Sequence, residues 1–166
     1  KLHASDRNKG LASSLIDGIT SVTRDYGKGI VVEDDLVVSP FFLEFINDGL
    51  AEYEKDDSVA AICGYIYAAK GIREETFFLR GADVWGFGVW KRSWAHFEPD
   101  GAKLLRDIES HHLEQVFNYD GTFDILSILR KQIMHENDSW LVRWQASAFV
   151  RNMLTLYPNQ SLVKNI

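Results

Sequence analysis

With 166 residues, 46% of them hydrophobic and 13% aromatic, the chain is long enough to bury one core, and a single domain over 1–166 is expected. Its 18 Lys and Arg against 24 Asp and Glu leave a formal charge of -6, which argues against the sequence-independent phosphate affinity of a nucleic-acid binder. No apolar run approaches the roughly 20 residues of a membrane span, and Lys1 to Arg7 is too polar for a signal peptide, so a soluble segment is expected.

In chain order, Leu2 to Ala4 reads as the tail of a strand and Asp6-Arg7-Asn8 as a polar turn. Leu11, Leu15, Ile19 and Val22 then recur at helical spacing until Gly27 and Gly29 break the pattern. Gly29 to Val32 is too short for a helix and β-branched enough for a buried strand, and it runs directly into Glu33, Asp34 and Asp35. Ser39 and Pro40 supply an N-cap and a first-turn proline for a helix striped by Phe42, Ile46, Leu50 and Tyr53. Val59 to Cys63 is a further buried strand, and its single cysteine, with no partner for a disulfide or a metal cluster, reads as a structural thiol. Strand, helix, strand, helix, strand implies an α/β fold with a mainly parallel sheet.

Thr76 to Leu79 is a short strand, and Val84 to Trp90 (VWGFGVW) combines aromatic residues with two glycines, which predicts irregular backbone close to a ligand. Helical patterning returns at Lys103 to Ile108, at Leu113 to Phe117, and at Ile125, Leu129 and Ile133. Asp138 and Ser139 precede a helix carrying Trp140, Trp144 and Ala148, and Leu154 to Tyr157 with Leu162 to Val163 predicts a terminal hairpin divided by Pro158-Asn159.

Three adjacent carboxylates at a strand's carboxyl end repel one another unless a divalent cation or a polyol engages them; the bland alternative is a solvated strand end. From local sequence alone, Asp138 reads more readily as a helix N-cap than as a catalytic base. Trp85, Trp90 and Trp94 are able to stack on sugar rings or simply to pack, and Arg143 reads as an orienting partner of Asp138. His111 and His112 have no i, i+4 partner and carry no role, and His135-Glu136 lacks the second histidine of a metalloprotease motif.

VVEDDLVVSPFFLEF resembles the metal-binding segment of GT-A glycosyltransferases, in particular the family of N-acetylglucosaminyltransferase I and its bacterial relatives, in which an E-D-D version of the DxD motif precedes a proline-started helix. LASSLIDGI is similar to the helix before that motif, GFGVW to the loop lining the donor sugar, DSWLVRW to the segment supplying the catalytic base, and TLYPNQSLVKNI to the end of the bacterial core. The resemblance implies a Rossmann-like GT-A sheet flanked by helices, and a metal-dependent, inverting transfer of a sugar from a nucleotide diphosphate, by analogy UDP, to a glycan or saccharide acceptor. It further implies that Asp35 ligates Mn²⁺ or Mg²⁺, that Glu33, Asp34, Asn8, Ser14 and Phe87 contact the donor, and that Asp138 is the base. Phe87 is as readily a core residue. A cytoplasmic, bacterial setting in polysaccharide synthesis, compatible with peripheral membrane association, belongs to the same expectation.

The chain departs from the family at Ser14, where a histidine is usual, and at Asn137, where a tryptophan precedes the base. It also begins at what resembles the second strand and stops before a glycine-rich segment, as a partial catalytic domain would. Two other classes stay open. One is a metal-dependent phosphohydrolase, although D-x-D-x-T is missing after Asp34; the other is a non-catalytic carbohydrate-binding module.

Overall fold

In the computed structural model, which describes residues 4–67, 71 and 73–166, helix α1 (Leu11–Tyr26) ends at Gly27, whose left-handed φ of 80° suits a residue without a Cβ. The chain turns at once into strand β1 (Lys28–Val31). The buried line of α1 is Ala12, Ile19 and Thr23, so Leu11 and Val22 of the expected stripe face outward. The strand tail expected at Leu2 to Ala4 falls largely outside the described residues.

After the acidic turn come β2 (Leu36–Val38), α2 (Phe42–Glu52), β3 (Val59–Cys63), β4 (Thr76–Arg80) and β5 (Phe87–Trp90). Ser39 does shape the entry to α2, its Oγ accepting from Phe41 N at 3.3 Å, but the helix starts at Phe42, two residues beyond Pro40. The second half holds α3 (Lys91–Trp94), α4 (Gly101–Ser110), α5 (Glu114–Phe117), a 3₁₀ turn at Tyr119–Gly121, α6 (Ile125–Ile133), α7 (Trp140–Val150), β6 (Leu154–Pro158) and β7 (Val163–Asn165).

The main sheet has the order β1-β5-β3-β6-β4, and only β3 and β6 pair in parallel. This corrects the expected mainly parallel sheet to a mixed, mostly antiparallel one. β1 and β3 do run the same way, as a βαβ unit requires, but β5 lies between them and antiparallel to both. Phe87–Trp90 can occupy that central place because all four residues are buried and Gly88 leaves room for α2. A Cβ at Gly88 would lie 2.7 Å from Ile46 Cγ2 and 2.9 Å from Leu50 Cδ1. The glycine therefore serves helix packing rather than approach to a ligand, and irregular backbone is confined to Val84–Gly86.

The expected terminal hairpin is likewise replaced. β6 enters the main sheet between β3 and β4, while β7 crosses to pair antiparallel with β2 as a separate ribbon. One face of the sheet is covered by α2 through Phe42, Ile46 and Leu50. The other carries α1, α3 and α7, whose Trp94, Trp140 and Trp144 share one core with Ala61, Phe87 and Val89. Helices α4, α5 and α6 close over the far side of α7 through Leu104, Ile108, Phe117, Leu129, Val142 and Phe149, which explains why α7 is buried nearly all round. Among the described residues no helix is long and apolar enough to cross a membrane.

Candidate functional site

Strands β1, β3 and β6 run in one direction, so their carboxyl ends lie at one edge of the sheet, beside the amino ends of β5 and β4. Helices α1 and α7 each feed directly into a strand of that set, which brings their N-termini to the same edge. Three backbone hydrogen bonds stitch the connecting loops there: Gly64 N to Gly86 O at 2.7 Å, Leu162 N to Gly64 O at 2.8 Å, and Ser39 N to Leu162 O at 2.8 Å. Ligands of open α/β sheets bind at such an edge.

Glu33, Asp34 and Asp35 occupy a tight turn just past β1, closed by Leu36 N donating to Glu33 O at 3.2 Å. Asp34 and Asp35 are exposed, and Glu33 is half-buried. Burial first, then the neighbouring charges of Asp35 and Asp34, pushes the Glu33 carboxyl above its ordinary range. Asp35 is held from the β7 side. Asn165 Nδ2 donates to its Oδ2 at 3.0 Å, and Ile166 N donates to its backbone oxygen at 3.0 Å.

Among the described residues no three Asp, Glu, His or Cys side chains converge as a closed metal cage. The donor set nevertheless fits a hard cation, because Asp35 offers a fixed, exposed carboxylate and Mg²⁺ or Mn²⁺ at phosphate sites needs only one or two protein oxygens. Asp35 would hold such a cation.

The start of α1 supplies the second part. Asn8 Oδ1 accepts from Gly10 N at 2.8 Å, and Ser14 Oγ donates to Gly10 O at 2.7 Å, so both side chains are engaged in shaping the helix entry. Gly10, with φ 77°, caps the helix without a side chain. Asp138 stands beside it: a Cβ at Gly10 would lie 3.6 Å from Asp138 Oδ2. The cap of α7 is Ser139, whose Oγ accepts from Val142 N at 3.3 Å, so Asp138 is released from capping and its side chain is 67% exposed. Arg143, almost buried, donates to Ser139 O at 3.2 Å and to Pro99 O at 3.4 Å and reaches Asp138 Oδ1 only at 3.8 Å. It orients the turn more than it neutralises the acid.

Phe87 is placed differently from the expected donor wall. Its side chain has no exposed surface and packs near Trp140, with ring centroids 6.1 Å apart, because a central strand covered on both faces leaves none. Trp90 and Trp94 are core residues too, their ring nitrogens donating to Leu50 O and Thr20 Oγ1. Trp85 alone of the three keeps open surface.

Around Trp85 lies a group that sequence reasoning did not single out: Tyr65, Tyr67, Asp83, Tyr119 and Gln145. Tyr65 meets Trp85 at 4.6 Å and Tyr67 at 5.0 Å between centroids, and Gln145 Nε2 donates to Tyr119 Oη at 2.9 Å. The one available clue was Asp83, an acid directly before the aromatic and glycine loop. No protein-family model and no curated protein matches the chain.

Proposed function

We propose that the chain carries the donor half of a metal-dependent, inverting glycosyltransferase of the GT-A type, acting on a nucleotide-diphosphate sugar, by analogy a UDP-sugar, and a saccharide acceptor. What supports this reading is the meeting of three features at one sheet edge: the Glu33–Asp35 turn, the N-terminus of α1 with no side-chain cap, and the exposed carboxylate of Asp138. In it, Asp35 binds Mn²⁺ or Mg²⁺, which stabilises charge on the leaving diphosphate. Glu33 and Asp34 accept hydrogen bonds from sugar and ribose hydroxyls. Asn8 and Ser14 hold the first turn of α1 so that its free N–H groups face the donor. Asp138 takes the proton from the acceptor hydroxyl as it attacks the anomeric carbon, and the diphosphate leaves from the opposite face.

Calorimetric titration of UDP with and without Mn²⁺ tests the reading. Affinity should rise with the cation in the wild type and lose that rise in Asp35→Ala; cation-independent affinity would sink it. The aromatic group of Tyr65, Tyr67 and Trp85 favours a second reading, a non-catalytic carbohydrate-binding module, which predicts saccharide binding without any effect of Mn²⁺.

A further inference from the structure

The loops after β3 and before β5, together with the 3₁₀ turn, build a feature that the donor side does not use. Tyr67 and Tyr119 are 59% and 40% exposed, and Trp85 and Tyr65 are partly so. The rings of Tyr65, Tyr67 and Trp85 form one cluster, with Tyr67 and Trp85 tilted by 38° at 6.2 Å. Asp83 sits among them. Its Oδ1 accepts from Val84 N at 2.8 Å and the loop amide of Trp85 also donates to it, which fixes the carboxylate while leaving acceptor capacity unused. No Lys or Arg bridges to Asp83 among the described residues.

The other side of the group is equally fixed. Gln145, projecting from the buried helix α7, accepts from Ala82 N through Oε1 and donates to Tyr119 Oη through Nε2. Its amide thereby joins the Asp83 loop to the 3₁₀ turn, whose Tyr119 and Asp120 hold left-handed φ values of 49° and 55°. Non-glycine residues adopt such angles at a cost, and in this turn the Tyr119 phenol meets the Gln145 amide. Burial, then the nearby Asp83 charge, pushes the phenols of Tyr67 and Tyr119 up to about 12, so both remain donors at neutral pH.

Open aromatic faces, a fixed carboxylate with free acceptor capacity and neutral phenol donors are the groups that recognise a hydroxyl-rich, uncharged ring. A nucleotide diphosphate would be repelled by the Asp83 carboxylate, to which no Lys or Arg bridges among the described residues. We infer that Tyr67, Trp85, Asp83 and Tyr119 form a binding subsite for a neutral saccharide, with Tyr67 and Trp85 as the stacking platform and Asp83 accepting from ring hydroxyls. It rests on the proposed transfer only in calling that saccharide the acceptor.

Saturation-transfer NMR with methyl glycosides of glucose, galactose and N-acetylglucosamine, on the wild type, Tyr67→Ala, Trp85→Ala and Asp83→Asn, tests this. At least one glycoside should receive saturation from the wild type, and each variant should weaken it about tenfold, as loss of an anchor does. No transfer to any of the three probes, or equal transfer in wild type and Tyr67→Ala, overturns the subsite. Tyr67 is exposed enough that its removal leaves the fold intact, so the test does not depend on Asp83→Asn alone. Glycoside binding in a protein that shows no Mn²⁺-dependent UDP affinity would retire the transferase reading and leave the saccharide site standing.

Discussion

Asp138 and Ser139 are neighbours in sequence with separable duties. Ser139 closes the first turn of α7 by accepting from Val142 N, so Ser139→Ala should cost about 1 kcal/mol in a denaturant titration. Asp138 makes only a 3.8 Å approach to Arg143 and is largely exposed, so Asp138→Asn should shift stability by less than about 0.5 kcal/mol. If it is the base, the same substitution lowers transfer by about 10²- to 10⁴-fold. The pattern of large rate loss with little stability loss is the informative one. Wild-type transfer in Asp138→Asn removes the residue from the chemistry, and a large stability loss would mean that it holds the loop instead.

Between elements, α2 fits closely across β5. A methyl at Gly88 would meet Ile46 and Leu50 inside 3 Å, and both are fixed by the core. Gly88→Ala should therefore destabilise by about 1–3 kcal/mol, read as a lower denaturation midpoint at unchanged slope. A neutral result would mean that α2 slides away freely. The same contact explains what was legible beforehand. Periodicity announced α2 through Phe42, Ile46 and Leu50, and the run Val59 to Cys63 announced β3, because each element's own face records its burial. Partnership is not recorded that way. Nothing within Phe87-Gly88-Val89-Trp90 states that it pairs antiparallel with both β1 and β3, and nothing in Leu162-Val163 states that it pairs with Leu36 to Val38 instead of β6. At the candidate site, Glu33 to Asp35 and Asp138 were visible as charge at element ends. The Asp83 group was not, since its members come from four separate stretches that only the fold brings together.

For the molecule as a whole, that group is also a tax on stability at neutral pH, and its sign can be worked out. Burial raises the Asp83 carboxyl above its ordinary value, partly offset by the Val84 and Trp85 amides. The groups facing it are Cys63, Tyr65, Tyr67, Tyr119 and Tyr157, all neutral across the acid range. The folded state therefore prefers the protonated acid. Asp83's contribution to stability is fully present below its unfolded value, about 3.9, and is lost as pH rises through the higher folded value. Asp83→Asn keeps an oxygen for the two amides and removes the ionisation. Its melting temperature should match the wild type at pH values below the unfolded carboxyl value and exceed it increasingly as pH rises through the higher folded value. A gap that is constant with pH would show that the effect is not ionisation. Paired with weaker glycoside binding in the same variant, a more stable Asp83→Asn protein would mean that the carboxylate is retained for a ligand at the expense of the fold, because a loss of binding through unfolding has the opposite sign in stability.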